Sequence, residues 1–117
     1  MDQNQQDSQW FAVQVRTRSE KLVAGILENK GFENLLPVYK VRRHRFDRTL
    51  AIELPLFPGY LFCRLDLNRR LLPLFTTPGV VKLLGAGNRP MPVDDSEIDA
   101  IRAVWDRFAK VLDPRDG

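Results

Sequence analysis

Residues 54–65 constrain the fold of this chain more than any other segment, because Pro55, Pro58 and Gly59 interrupt an apolar run just before a strand-like alternation begins. Pro58 fixes its own φ and has no N–H to donate, whereas Gly59 accepts backbone angles that are closed to other residues. Proline is also excluded from the middle of a paired central strand. The sequence therefore predicts a turn or bulge at Pro58 and Gly59, followed by a core strand over residues 59–65.

Two aromatic residues, Phe57 and Tyr60, flank this turn, and Phe62 follows in the strand. In one interpretation Phe62 lies in the core and Tyr60 packs beside it. In a second, rigid aromatic side chains form a docking surface, where they bury a large area at low entropic cost. In a third, Tyr60 and Phe62 stack on bases as in RNA-recognition modules, with Phe11 as a partner aromatic. Such a module would have Lys or Arg before the glycine, where this chain has Pro58.

The positive charge of the chain is concentrated in one block. The formal net charge is +3, but residues 1–93 contain 14 basic and 8 acidic residues, whereas residues 94–117 contain 4 and 7. Residues 40–48 hold five basic side chains and one acidic side chain. Such a block favours binding to a polyanion, with affinity from counterions released by phosphates. The alternative is a hairpin whose charges protect its edges from aggregation.

The chain offers no constellation for catalysis or metal binding. Cys63 and His44 are its only cysteine and histidine, so neither an internal disulfide nor a metal cluster is expected. His44 stands among arginines, without a carboxylate to orient it as a general base. The acidic residues 94–99 are explained by the N-terminus of a helix. We therefore expect no enzyme activity and no cofactor.

No apolar run approaches the roughly 20 residues of a membrane span, and the polar N-terminal residues do not form a signal peptide. We expect a cytoplasmic protein without membrane contact.

The hydrophobic periodicity predicts one domain over residues 10–112, preceded by a disordered segment at 1–9 and followed by a linker at 113–117. The first helix is expected at about 18–30, begun by a capping box of Thr17 and Glu20. A short helix capped by Asn68 should follow the strand at 59–65.

The remaining predicted elements are a strand from Trp10, a hairpin with strands at about 36–46 and 50–54, a buried strand at 80–84, and a final helix with the apolar stripe Ile98, Ile101, Trp105, Phe108 and Leu112. This order predicts an α+β, ferredoxin-like sandwich: an antiparallel sheet of about four strands, helices packed on one face, and a long basic hairpin.

Five motifs along the chain occur in the order found in a known family. They are Trp10-x-x-x-Gln14, Leu56-Phe57-Pro58-Gly59-Tyr60-Leu61-Phe62, Thr77-Pro78-Gly79-Val80, Arg89-Pro90-x-Pro92-Val93 and Asp95-x-Glu97-Ile98-x-x-Ile101. In these motifs the chain resembles the N-terminal (NGN) domain of the NusG family of transcription factors. The Pro-Leu-Phe-Pro form is closer to specialised paralogues such as RfaH. The resemblance implies that the linker leads to a C-terminal KOW domain, which would recruit Rho, ribosomal protein S10 or other factors.

The resemblance also implies a function in transcription elongation and antitermination. A monomeric domain would bind the clamp helices of the largest RNA polymerase subunit, bridge the DNA cleft, and reduce pausing or termination while associated with the nucleoid. The implied polymerase-binding residues are Phe57, Pro58, Gly59, Tyr60, Trp10, Leu83 and Leu84. The alternative function is a free single-stranded RNA-binding module of the RNA-recognition type.

The implied nucleic-acid-binding residues are basic and form three groups. Arg16, Arg18 and Lys21 would lie beside nontemplate DNA, and Arg42, Arg43, Arg45 and Arg48 would face upstream DNA or polymerase. Arg69 and Arg70 stand where RfaH-like paralogues have a His-Thr-Thr stretch that contacts polymerase. Either that contact is absent here or the two arginines make it electrostatically.

Overall fold

The computed structural model describes residues 8–69 and 71–111, with side chains described up to residue 108. The predictions for residues 1–7, Arg70, Leu112 and the linker lie outside this part of the chain. Four antiparallel strands form the central sheet in the spatial order β2 (Asn34–Leu35), β5 (Tyr60–Leu65), β1 (Gln9–Val15) and β6 (Val80–Leu83). The α+β, ferredoxin-like class predicted from the sequence is confirmed.

Three helices and two further strand pairs complete the described fold. The helices are α1 (Glu20–Asn29), α2 (Leu72–Phe75) and α3 (Asp95–Val111). Strands β3 (Val38–Arg45) and β4 (Arg48–Pro55) pair only with each other and form the predicted long hairpin, while β7 (Gly85–Ala86) pairs with β8 (Arg89–Pro90). None of the helices in the described ranges is long and apolar enough to cross a bilayer.

One face of the sheet packs on α1 and α2. Alternate residues of β1 and β5 point to this face, where they are buried with residues of both helices. This first core consists of Phe11, Val13, Val15, Val23, Leu27, Leu61, Cys63, Leu65 and Leu74. A shift of one residue in the pairing of β1 and β5 would turn these side chains away from the helices, so their burial fixes the register of the two strands.

The opposite face of the sheet is covered by α3, so the helices do not lie on one face as the sequence predicted. Trp10, Leu35 and Phe62 point to this face and pack with Ile98, while Ile101 and Trp105 of α3 pack against the cluster. The reason is that β1 and β5 carry large apolar side chains on both of their faces. A sheet that is apolar on both sides needs a cover on each.

Three local predictions are also corrected by the structure. α2 is preceded by Leu71 rather than capped by Asn68, whose own N–H donates to the Asp66 carboxylate at 2.9 Å. β6 is an edge strand with exposed Val81 and Lys82, not a buried strand, because it pairs with β1 alone. β1 begins at Gln9, inside the segment predicted to be disordered.

Cys63 lies in the first core as predicted, and burial raises the pKa of its thiol from 9.0 to about 12. The folded thiol therefore stays protonated at pH values where the unfolded thiol ionises. Its contribution to stability is complete below pH 9 and is lost as the pH rises from about 9 to about 12. We expect the free energy of unfolding to fall by up to about 1.4 kcal/mol per pH unit above pH 9 from this group. Urea unfolding at pH 8, 9 and 10 measures the change, and a Cys63→Ala variant with the same pH dependence would contradict it.

Candidate functional surface

The turn between β4 and β5 is held by one internal hydrogen bond and by hydrogen bonds to β1 and α1. Within the turn, the N–H of Tyr60 donates to the carbonyl of Phe57 at 3.0 Å. The carbonyl of Gly59 accepts from the N–H of Val15 at 2.9 Å, and the N–H of Gly59 donates to Oε2 of Glu20 at 2.8 Å. Gly59 has φ = 85°, which favours glycine. The turn predicted from Pro58 and Gly59 is therefore present and is fixed to both β1 and α1.

Glu20 is a positioning residue whose role the sequence did not reveal. The residue is only 4% exposed, and its carboxylate accepts from the N–H of Gly59 instead of forming the predicted capping box. Arg18 has φ = 74°, so α1 cannot begin at 18 and starts at Glu20 after Ser19, which makes no side-chain capping bond. The acceptor and donor are 39 residues apart. The sequence shows only the spacing of Thr17 and Glu20, which predicts a bond within the first turn of α1 and not a bond to Gly59.

Three aromatic side chains near the turn, Trp10, Phe62 and Phe57, form a group that extends from the interior to the surface. Trp10 is 2% exposed and shares the α3-covered cluster with Phe62, which is 7% exposed. The ring of Phe57 meets the ring of Phe62 edge-on, with centroids 5.6 Å apart and an angle of 90° between planes. Phe57 itself remains 40% exposed. Trp10 is thus buried below this surface, and Phe57 is the aromatic residue of the group that a partner can contact.

The two leucines predicted to bind polymerase, Leu83 and Leu84, lie on different faces of the sheet, and only one of these faces carries Tyr60. Tyr60 is half-buried and lies opposite Gln14 on the face of the sheet that carries Phe62. Leu83 pairs with Val13 and packs against the first core, so it lies on the other face and does not line the surface around Phe57. Leu84, whose N–H donates to the Ala12 carbonyl at 2.9 Å, follows with the opposite orientation. We therefore retain Leu84 and exclude Leu83 from the candidate surface.

The basic residues in and before the first helix lie near this turn. Arg16 and Arg18 are exposed in the connection between β1 and α1. Arg18 and Lys21 line a shallow groove with Pro58. Lys21 forms an ion pair with Glu53 of the hairpin at 3.2 Å. Its charge is therefore partly neutralised, whereas the two arginines present theirs to solvent.

The hairpin arranges its arginines on two faces. Arg45 of β3 lies directly opposite Arg48 of β4, and Arg43 lies two residues before Arg45 in β3. These three side chains therefore share one face of the hairpin. Arg42 lies on the opposite face. Within the described residues, no ion pair involves Arg43, Arg45 or Arg48.

Arg69 is far from the hairpin in sequence and pairs with Asp66 at 3.5 Å. Arg70 lies outside the described residues. The possible second polymerase contact by these two arginines stays a prediction.

Comparison with known proteins identifies the family. A family model described as "Transcription termination factor nusG" matches residues 8–102. The transcription termination/antitermination protein NusG of Thermus thermophilus is 30% identical over 123 residues, covering 92% of this chain and 67% of that protein. The Chlamydia pneumoniae NusG is 32% identical over 105 residues, covering 81% and 56%.

The fold is also shared with a solved structure. A chain described under "Domain interaction in Thermotoga maritima NusG" aligns with a TM-score of 0.59 at 22% identity, covering 94% of this chain and 62% of that chain. This chain thus spans between 56% and 67% of the length of these three relatives. The match over residues 8–102 includes the turn at Gly59 and the hairpin. The chain belongs to the NusG family of transcription termination and antitermination factors.

Proposed function

We propose that this domain is a non-enzymatic elongation and antitermination factor that binds the clamp helices of the largest RNA polymerase subunit through Phe57 and Tyr60. The main support is that Phe57 is 40% exposed although its backbone and ring are both fixed. Its turn is bonded to Glu20 and Val15, and its ring rests on Phe62. An aromatic side chain that is already ordered loses little conformational entropy when a partner helix covers it.

The proposed mechanism is bridging of the DNA cleft. With Phe57 and Tyr60 on the clamp, the arginines at positions 16 and 18 and on the hairpin would contact nontemplate or upstream DNA. Binding that is stronger to the closed clamp than to the open clamp would shift polymerase toward the closed, actively elongating state. The protein would act in the cytoplasm at the nucleoid, as a monomer. In a longer chain, a linker after residue 112 would lead to a KOW domain that recruits Rho, ribosomal protein S10 or other factors.

The RNA-recognition alternative is less well supported by the structure. Stacking modules present their aromatic side chains on an open face of the sheet. Here Phe62 is 7% exposed and packs with Ile98 of α3, and Phe11 is buried on the other face. Of the three aromatic residues that would form the stacking platform, Phe62 and Phe11 are therefore inaccessible and on opposite faces, and only Tyr60 is partly exposed.

The test is binding of purified clamp helices to the wild-type chain and to a Phe57→Ala, Tyr60→Ala double variant. Central aromatic anchors of an interface cost about 2 kcal/mol or more each when truncated. One such loss is about 30-fold in affinity and two independent losses are about 1,000-fold, so we expect the double variant to bind between about 30- and 1,000-fold more weakly. The matched control is Phe75→Ala, because Phe75 is a 48% exposed aromatic on α2. Equal binding by the double variant and the wild type would refute the docking proposal.

A further inference from the structure

Phe46 is the most exposed large apolar residue among the described residues, at 99% exposure. It occupies the two-residue turn of the hairpin together with Asp47, between β3 and β4. Its backbone has φ = 58°, in the left-handed region. Phe46 therefore projects into solvent from the end of the hairpin that lies furthest along its strands from Pro55, where β4 ends.

The domain itself gains nothing from a phenylalanine at this position. Left-handed backbone angles in hairpin turns favour glycine, asparagine and aspartate, and are unfavourable for bulky side chains. At 99% exposure, the ring of Phe46 buries almost no apolar area in the fold. Both its backbone and its side chain are thus poorly suited to the isolated domain, which indicates that the ring is used in a contact with another molecule.

The neighbours of Phe46 indicate the chemistry of that molecule. Arg45 precedes it, Arg48 lies directly opposite Arg45, and Arg43 is on the same face. These guanidinium groups make no ion pairs within the described part of the chain, and the nearest carboxylate in sequence is that of Asp47. Guanidinium groups bind phosphates, and an aromatic ring beside them can stack on a base. A nucleic acid satisfies both requirements, whereas an apolar protein surface would leave the arginines unpaired.

We propose that Phe46 stacks on an unpaired nucleobase next to a duplex, while Arg43, Arg45 and Arg48 hold the adjacent phosphates. Stacking of one base on an aromatic side chain strengthens binding by about 5- to 150-fold. Inserting the ring between two stacked base pairs costs a comparable factor, because the step must first be opened. Phe46 would therefore add little affinity for an intact duplex. It would add the full affinity of stacking where a base is already unpaired. The proposal deepens the nucleic-acid contact of the proposed function and rests on it.

The experiment measures binding of the full 117-residue chain, without polymerase, to a forked DNA by fluorescence anisotropy. A second fork has an abasic site at the first unpaired position, and a third probe is the blunt duplex. We expect the wild type to bind the intact fork at least about five-fold more tightly than the abasic fork. Phe46→Asn, which suits a left-handed backbone, should bind the two forks equally. Phe46→Tyr should behave as the wild type does.

The controls separate this proposal from polymerase docking. Arg45→Ala should weaken binding to every probe and flatten its salt dependence. The Phe57→Ala, Tyr60→Ala variant should bind the forks as the wild type does, so failure of the docking proposal leaves this result intact. A fork of RNA with the same sequence tests whether the stacked base belongs to DNA or RNA. The nucleic acid whose binding is weakened more by Phe46→Asn supplies the base. The proposal is wrong if the wild type does not distinguish the intact from the abasic fork in either nucleic acid, or if Phe46→Asn retains the distinction.

Discussion

Replacing Phe62 with alanine is expected to lower the free energy of unfolding by about 3–5 kcal/mol. Phe62 is 7% exposed and packs with Trp10, Leu35 and Ile98, so truncation leaves a cavity between the sheet and α3. A loss of this size is a large part of the roughly 5–15 kcal/mol that stabilises a typical domain. Equilibrium urea unfolding measures it. Phe75→Ala is the control, because this phenylalanine is 48% exposed.

The same residue allows a test of how Phe57 is held. Phe57 and Phe62 meet edge-on at 5.6 Å, and such aromatic pairs are worth about 0.5–1.5 kcal/mol beyond the area that they bury. A double-mutant cycle that combines Phe57→Ala with Phe62→Leu should give a coupling energy in that range. The leucine retains apolar volume and keeps the domain folded. Additive effects of the two substitutions would show that the aromatic contact does not position Phe57.

Replacing Glu20 with alanine is expected to cost about 1.5–3 kcal/mol of stability, as for other hydrogen bonds that involve a charged group. Glu20 is 4% exposed, and removal of its carboxylate leaves the buried N–H of Gly59 without its acceptor. Because this bond holds the turn that carries Phe57 and Tyr60, affinity for the clamp helices should fall as well. The measurements are urea unfolding and clamp-helix binding on the same variant.

Two controls make the Glu20 result specific. Glu20→Gln retains an acceptor oxygen without the charge, so it should lose less than the alanine variant in both measurements. Glu28→Ala removes an exposed glutamate from the same helix and should change stability by no more than about 0.5 kcal/mol. If Glu20→Ala is no less stable than Glu28→Ala, the bond to Gly59 does not hold the turn.

Elements whose signal is local could be predicted well from the sequence. The strand expected at 59–65 is observed at Tyr60–Leu65, and the hairpin expected at 36–46 and 50–54 is observed at Val38–Arg45 and Arg48–Pro55. Alternation, proline and glycine determine these elements within a few residues. The apolar stripe of α3 was likewise visible, although the position of the helix was not. Which face of the sheet it covers depends on strands that are distant in the sequence.

The features that the sequence did not reveal depend on contacts between distant residues. Glu20 has a plausible local partner in Thr17, yet it bonds to Gly59, 39 residues away. Leu83 and Leu84 are adjacent and equally apolar, but only pairing with β1 shows that they point to opposite faces. Phe46 stands at the end of a predicted strand and had no distinguishing signal in the sequence. Its exposure and left-handed backbone become visible only in the structure.

Strands β3 and β4 pair only with each other, and the hairpin contacts the helices near its base, where Tyr39 meets Phe108 of α3 and Glu53 pairs with Lys21 of α1. The length of the part beyond these contacts is therefore independent of the central sheet. A strand pair extends by about 3.4 Å for each residue added to both strands. Adding or removing two residues on each strand preserves which side chains face which way. Insertions and deletions of this kind would move the tip by about 7 Å without changing the central sheet. Changes of this kind would adjust the distance between the tip and the Phe57 turn in discrete steps without altering the hydrophobic core.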